Sequence, residues 1–220
     1  MIDYSIIQHS IEYYEQLGFK RIESPWTVSQ AISDITKPKE CGDFTIKEKN
    51  KVLVASGEQS FLSLINKGFL PPGMYQTVTP CFRDETFTPY HTKYFIKNEL
   101  IITDDTSLTR LAFIVASARN FFRQYCLGKK DNESHVSDDP DNISIIETTN
   151  GGNTIVNDVN VTNRYKFPSY DLVYRGIELG SYGIRRCEFL TWIYGTGVAE
   201  PRLSRVLQTY GVSYQKNQKR

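Results

Sequence analysis

Apolar residues recur at helical spacing in the first segment, where Ile6, Ile7, Ile11, Tyr14 and Leu17 share one face and Gly18 follows as a stop. This predicts an amphipathic helix over 5–17. Residues 19–23 form a short strand, and Pro25 forbids a continuing helix. The run Val52, Leu53, Val54, Ala55 reads as a buried strand; after a turn at Ser56-Gly57 the pattern predicts a second helix over 59–66, closed by Gly68. Two strands follow, over 74–83, interrupted by Pro80, and over 94–102, joined by a long polar loop. Ser107 then caps a long helix whose stripe comprises Leu108, Leu111, Ala112, Val115, Ala118, Phe122 and Cys126. Residues 129–142 are polar and broken by proline, which reads as a surface loop. Strand-like pieces recur at 143–147, 154–161, 170–174 and 187–193. Gly195-Thr196-Gly197 leads into a last helix over 202–210, and 214–220 is a basic tail.

That order, helices at both ends and mostly antiparallel strands around one inserted helix, predicts an α+β fold in a single domain over 1–213. With 220 residues, 40% hydrophobic and 13% aromatic, the chain can bury a core, which excludes a disordered or fibrous protein. The 26 Lys+Arg nearly cancel the 25 Asp+Glu, so a polyanion has to be held locally rather than by an overall field. No apolar run approaches the roughly 20 residues needed to cross a bilayer, and residues 1–12 are too polar for a signal peptide. The expected location is cytoplasmic, with no membrane partner. Cys41, Cys81, Cys126 and Cys187 are too scattered for a metal knuckle and are expected as free thiols.

Three groupings carry chemistry. Phe82-Arg83-Asp84-Glu85, followed by His91, Phe95 and Glu99, offers a guanidinium, a carboxylate, an imidazole and an aromatic face around one loop. Arginine forks onto phosphate and phenylalanine stacks on a purine, although an edge hairpin with surface charges uses the same residues. Asp171 and Glu178 flank a hairpin turned at Arg175-Gly176; they either share a hard cation such as Mg²⁺ or face solvent. Gly180, Ser181 and Gly183 keep that stretch small, for a ligand or for a crowded sheet. The third grouping, Gly195-Thr196-Gly197 to Pro201-Arg202-Leu203, has the wrong glycine spacing for a Rossmann or P-loop site.

In this order the three groupings resemble the catalytic core of class II aminoacyl-tRNA synthetases. Gly18-Phe19-Lys20-Arg21-Ile22-Glu23-Ser24-Pro25 is similar to the family's first motif, Phe82 to Phe95 to its second, and Gly195 to Arg202 to its third. The resemblance implies an antiparallel sheet flanked by helices and ATP-dependent formation of an aminoacyl-adenylate. It implies that Arg83 holds the α-phosphate, Glu85 reads the adenine amine, Phe95 stacks on the ring, and His91 and Arg202 reach the distal phosphates. Arg83 and Arg202 are then the catalytic cations. The Asp171/Glu178 spacing is similar to the magnesium-binding pair of the aspartate, asparagine and lysine branch. Ser56-Gly57-Glu58 resembles the loop that binds the substrate's α-amino group, which gives Glu58 that role beside Ser181. Arg185 stands where aspartate-activating relatives hold the side-chain carboxylate, so an acidic substrate is expected, with Arg186 as the alternative inward residue.

One departure is Pro201, which stands where most relatives carry an acid before the arginine and leaves Glu200 one place early. The family also implies a homodimer through the first helix and the Pro25 strand. With no segment assignable to anticodon recognition, the expected enzyme is a stand-alone ligase that passes its amino acid to a carrier, a peptide or a tRNA acceptor end. Its rivals are a non-catalytic regulatory module and a synthetase whose recognition comes from another subunit.

Overall fold

A computed structural model describes residues 1–37, 41–46, 50–84, 86, 88–126, 143–149, 152–159 and 167–212. The surface loop and the basic tail expected from the sequence lie outside the described residues, as does Glu85.

Helix α1 (Tyr4–Gln16) starts at Asp3, whose carboxylate accepts Ser5 N–H at 2.9 Å, and ends before Gly18, which adopts a φ of 92°. Strand β1 (Lys20–Arg21) leads through Pro25 to β2 (Thr27–Ser29) and α2 (Gln30–Thr36). Strands β3 (Thr45–Ile46) and β4 (Lys51–Leu53) complete a small sheet ordered β2-β4-β3. Helix α3 (Gly57–Asn66) begins two residues earlier than the sequence pattern predicts, because the Ser56 hydroxyl accepts the N–H of Glu58. Next come β5 (Met74–Phe82), β6 (Tyr94–Ile102) and α4 (Leu108–Cys126). The chain continues through β7 (Ile143–Thr149), β8 (Gly152–Val156), β9 (Ser169–Tyr174), β10 (Ile177–Arg186) and β11 (Thr191–Glu200) to α5 (Arg202–Thr209).

The large sheet runs β1-β5-β6-β11-β10-β9-β7-β8. Every pairing is antiparallel except β1 with β5. Pro80 is tolerated in β5 because it lies beyond the two-residue reach of β1, where β5 has a strand partner on one side. One sheet face packs on α1, α4 and α5 through Ile7, Tyr14, Ile114, Phe121, Val198 and Val206. The other meets α3 and the small sheet through Val54, Phe61, Ile101, Trp192 and Tyr194. No described helix is long and apolar enough to cross a membrane.

The strand expected over 187–193 is displaced to Thr191–Glu200, so the glycines expected to lead out of a strand lie inside it. A Cβ on Gly195 would stand 2.9 Å from the Tyr182 ring, and one on Gly197 the same distance from Asn98 Nδ2. Here the alternating glycines make room for close neighbours. Asn98 is pinned in turn: its Nδ2 donates to Ser10 Oγ and Gln76 Oε1, while Gln76 donates to the Ile11 carbonyl. This buried polar link fastens α1 to the centre of the sheet.

Candidate active site

Arg83 follows β5, and pairing of β5 with β6 sets Cys81 opposite Phe95. The Arg83 guanidinium lies over the Phe95 ring, 5.2 Å from its centre, and its Nε donates to the Ala55 carbonyl at 3.1 Å. Stacking and hydrogen bond together fix the plane of the guanidinium. His91 is held in a tight local turn: Thr88 N–H donates to the His91 carbonyl, and the Thr88 hydroxyl lies 2.8 Å from His91 Nδ1. Tyr90, His91, Thr92 and Phe95 then face Ala199, Pro201 and Arg202 across a cleft. The second and third groupings, distant in sequence, form its two walls.

Arg175 and Gly176 turn the β9–β10 hairpin with φ values of 50° and 79°, the left-handed pair that a two-residue turn demands. Asp171 pairs with Ser181 and Glu178 with Val173, with a bulge between Glu178 and Gly180 that keeps Asp171, Glu178 and Ser181 on one face. Burial and the neighbouring Glu178 push the Asp171 carboxyl up to about 6, against the pull of the Ser181 hydroxyl and Arg202. Arg202 donates to the carbonyl and the carboxylate of Glu178, both at 3.2 Å, and so links the carboxylate pair to the cleft. Among the described residues no group of three or more acidic, His or Cys side chains is placed to hold a metal.

Glu200, absent from the candidates read in the sequence, is fully buried between β11 and α5. It accepts the N–H groups of Asp3 and Ser204, each at 3.0 Å, and the Ser204 hydroxyl. The displaced acid thus caps the helix that begins with Arg202 while clasping the start of α1. Lys97 was missed as well, although Phe95, Lys97 and Glu99 alternate along β6 and so share a face. Its Nζ meets Glu99 at 2.8 Å, and the other Glu99 oxygen accepts the Ser56 hydroxyl at 2.7 Å.

Glu58 and Arg185, to which the resemblance gives separate substrate contacts, are bound to each other. Both oxygens of Glu58 are engaged, one by Arg185 at 2.5 Å and one by Trp192 Nε1–H at 2.6 Å, and the residue is 3% exposed. Arg185 is the inward arginine, as its pairing with Trp192 requires, while Arg186 points to solvent. Its guanidinium rests 3.9 Å from the centre of the Tyr194 ring, already paired with Glu58 rather than open to a substrate carboxylate.

No protein-family profile and no curated protein matches this chain. Its fold is that of class II synthetase catalytic domains. Seryl-tRNA synthetase from Pyrococcus horikoshii, in complex with ATP, superposes over 93% of this chain and 50% of its own, with a TM-score of 0.66 at 14% identity. The cytoplasmic serine-tRNA ligase of Naegleria fowleri, in complex with AMP, covers 94% and 53% with a TM-score of 0.62 at 16% identity. PylSc, a pyrrolysyl-tRNA synthetase from Desulfitobacterium hafniense, covers 96% and 70% with a TM-score of 0.63 at 13% identity. The chain spans about half the length of the seryl enzymes.

Proposed function

We propose that this chain activates an amino acid with ATP, forming an aminoacyl-adenylate and releasing pyrophosphate. The observation that carries the reading is the convergence of His91, Phe95 and Arg202 on one cleft, with Arg83 stacked on Phe95, within a fold that holds ATP or AMP in the seryl enzymes. An adenine ring stacks on Phe95, Arg83 lies against the α-phosphate, and His91 and Arg202 meet the outer phosphates. The amino-acid carboxylate attacks the α-phosphorus and the bond to the β-phosphate oxygen breaks, so that the electron pair leaves with pyrophosphate. Positioning and cationic compensation of the charge developing on the phosphoryl oxygens supply the acceleration, and no side-chain nucleophile is required.

Asp171 and Glu178 suit a divalent cation because they are two carboxylates on one face, and burial together with the neighbouring Glu178 raises Asp171 to about 6. Bound there with phosphate oxygens as its other ligands, Mg²⁺ would supply charge neutralisation at the pyrophosphate leaving group. Arg202 stands between that pair and the cleft and orients Glu178.

Amino-acid-dependent ATP–pyrophosphate exchange tests the proposal. Wild-type protein is expected to exchange with at least one amino acid. Arg83→Ala is expected to lower the rate by about 10²–10³-fold, the usual effect of removing a fixed donor from developing charge. Exchange that survives Arg83→Ala undiminished would remove Arg83 from the mechanism.

A further inference from the structure

Four charged side chains on the α3-facing side of the large sheet form two closed pairs, Arg185 with Glu58 and Lys97 with Glu99. The remaining oxygens of the two carboxylates are taken by Trp192 and Ser56. Glu58 and Glu99 are sealed, at 3% and 1% exposure, whereas the Arg185 side chain keeps 39%. An incoming molecule therefore meets a guanidinium neutralised from behind by Glu58 and held flat against Tyr194. Phe95, Lys97 and Glu99 alternate along β6, so Glu99 lies about 13 Å beyond the stacking ring at about 3.3 Å per residue. That is the reach of an amino acid extending from a nucleotide bound in the cleft.

A ligand carboxylate brought to Arg185 would add a third anion beside Glu58 and Glu99, whose charges Arg185 and Lys97 already offset, on a partly desolvated face; the α-ammonium is common to every amino acid and cancels from the comparison between side chains. An uncompensated charge in such a place is strongly unfavourable. A neutral oxygen or an apolar group leaves the balance intact, and a neutral oxygen can accept from the guanidinium N–H groups that do not reach Glu58. Resting on the activation reading above, we infer that the site selects an α-amino acid with an uncharged side chain and rejects aspartate and glutamate, because Glu58 neutralises the arginine that could meet an acidic side chain. This replaces the acidic substrate expected from the sequence position of Arg185.

Calorimetric titration of the full chain with sulfamoyl-adenosine analogues bearing asparaginyl, aspartyl, glutaminyl, glutamyl, seryl and leucyl groups decides the matter. The α-amino group and nucleotide are common to all six probes, so differences report the side chain. The tightest probe is expected to be an uncharged one, ahead of both acidic probes by about tenfold or more. Glu58→Gln exposes the charge of Arg185 and is expected to narrow that gap by about tenfold. The double variant Glu58→Gln/Arg185→Gln keeps the pocket neutral and is expected to preserve the wild-type order; with the wild-type series it decides the question even if Glu58→Gln does not fold. Tightest binding of the aspartyl or glutamyl probe, or an unchanged gap in folded Glu58→Gln, overturns the inference. Pyrophosphate exchange driven by aspartate or glutamate overturns it too, while leaving the activation reading standing. Binding of no probe together with no exchange for any common amino acid overturns both.

Discussion

Glu200 accepts the backbone N–H of Asp3 at 3.0 Å, so the residue before the Pro201-Arg202 corner also fastens the first turn of α1. Its other contacts cap α5, from which Arg202 reaches Glu178 and the cleft. Glu200→Ala strands the N–H groups of Asp3 and Ser204. The expected cost is about 2–6 kcal/mol in urea unfolding, from two lost part-buried bonds at about 1–3 kcal/mol each. The surviving folded fraction is expected to bind ATP more weakly, because the turn presenting Arg202 has lost its cap; unchanged ATP affinity would confine Glu200 to a stabilising role.

Asp171 lies between stability and the proposed chemistry. Its carboxyl is raised to about 6, so between about pH 4 and 6 the folded chain holds a proton that the unfolded chain has released. Stability contributed at this site therefore falls as pH rises through that window and stays low above it. Asp171→Asn is expected to stabilise metal-free protein by about 1 kcal/mol at pH 7.5, discounted for partial exposure, and to raise Tm by roughly 2–4 °C. The gain is expected to vanish near pH 4, and the same variant is expected to lose pyrophosphate exchange. A Tm difference that does not change with pH would show that the charge is not its source.

Gly197 is the point where β11 crosses Asn98. An added Cβ would stand 2.9 Å from Asn98 Nδ2 and 3.0 Å from the Asn98 carbonyl, and the backbone contact cannot be relieved by a rotamer change. Gly197→Ala is expected to cost about 1–3 kcal/mol in denaturant unfolding. A neutral result would mean that the two strands can part without loss.

Trp26 follows Pro25 in the segment that resembles a dimer motif and is 58% exposed. We expect a homodimer in sedimentation equilibrium at micromolar concentration, and a shift toward monomer in Trp26→Ser. A strictly monomeric wild type would remove that assembly.

Helices α1 and α4, the β5–β6 hairpin and the turn at Arg175-Gly176 were legible in the sequence because each is specified by residues close in the chain: an apolar stripe, a stop, a left-handed pair. Of the small sheet only β4 was legible, through the apolar run from Val52; β2, β3 and α2 were not, since β2 and β3 have three and two residues, too few to display a period. The strand that carries Gly195 and Gly197 was placed too early, because glycines that make room for a neighbour add no apolar period to the pattern. The partners of Glu58 were invisible for another reason: Arg185 and Trp192 lie 127 and 134 residues away, and no local pattern records which carboxylate oxygens a distant strand will occupy.

The β6–β11 pairing joins Ile96 to Glu200, and Lys97 to Ala199, across about a hundred residues. Phe95 and His91 come to the cleft from one side of this seam, Ala199 and Arg202 from the other. Closing so long a loop is entropically costly and is repaid when the whole strand zips. The two walls of the cleft therefore arise together, and if the proposed ATP site is right, retention on an ATP resin is expected to report the completed fold of this chain rather than a pre-formed fragment.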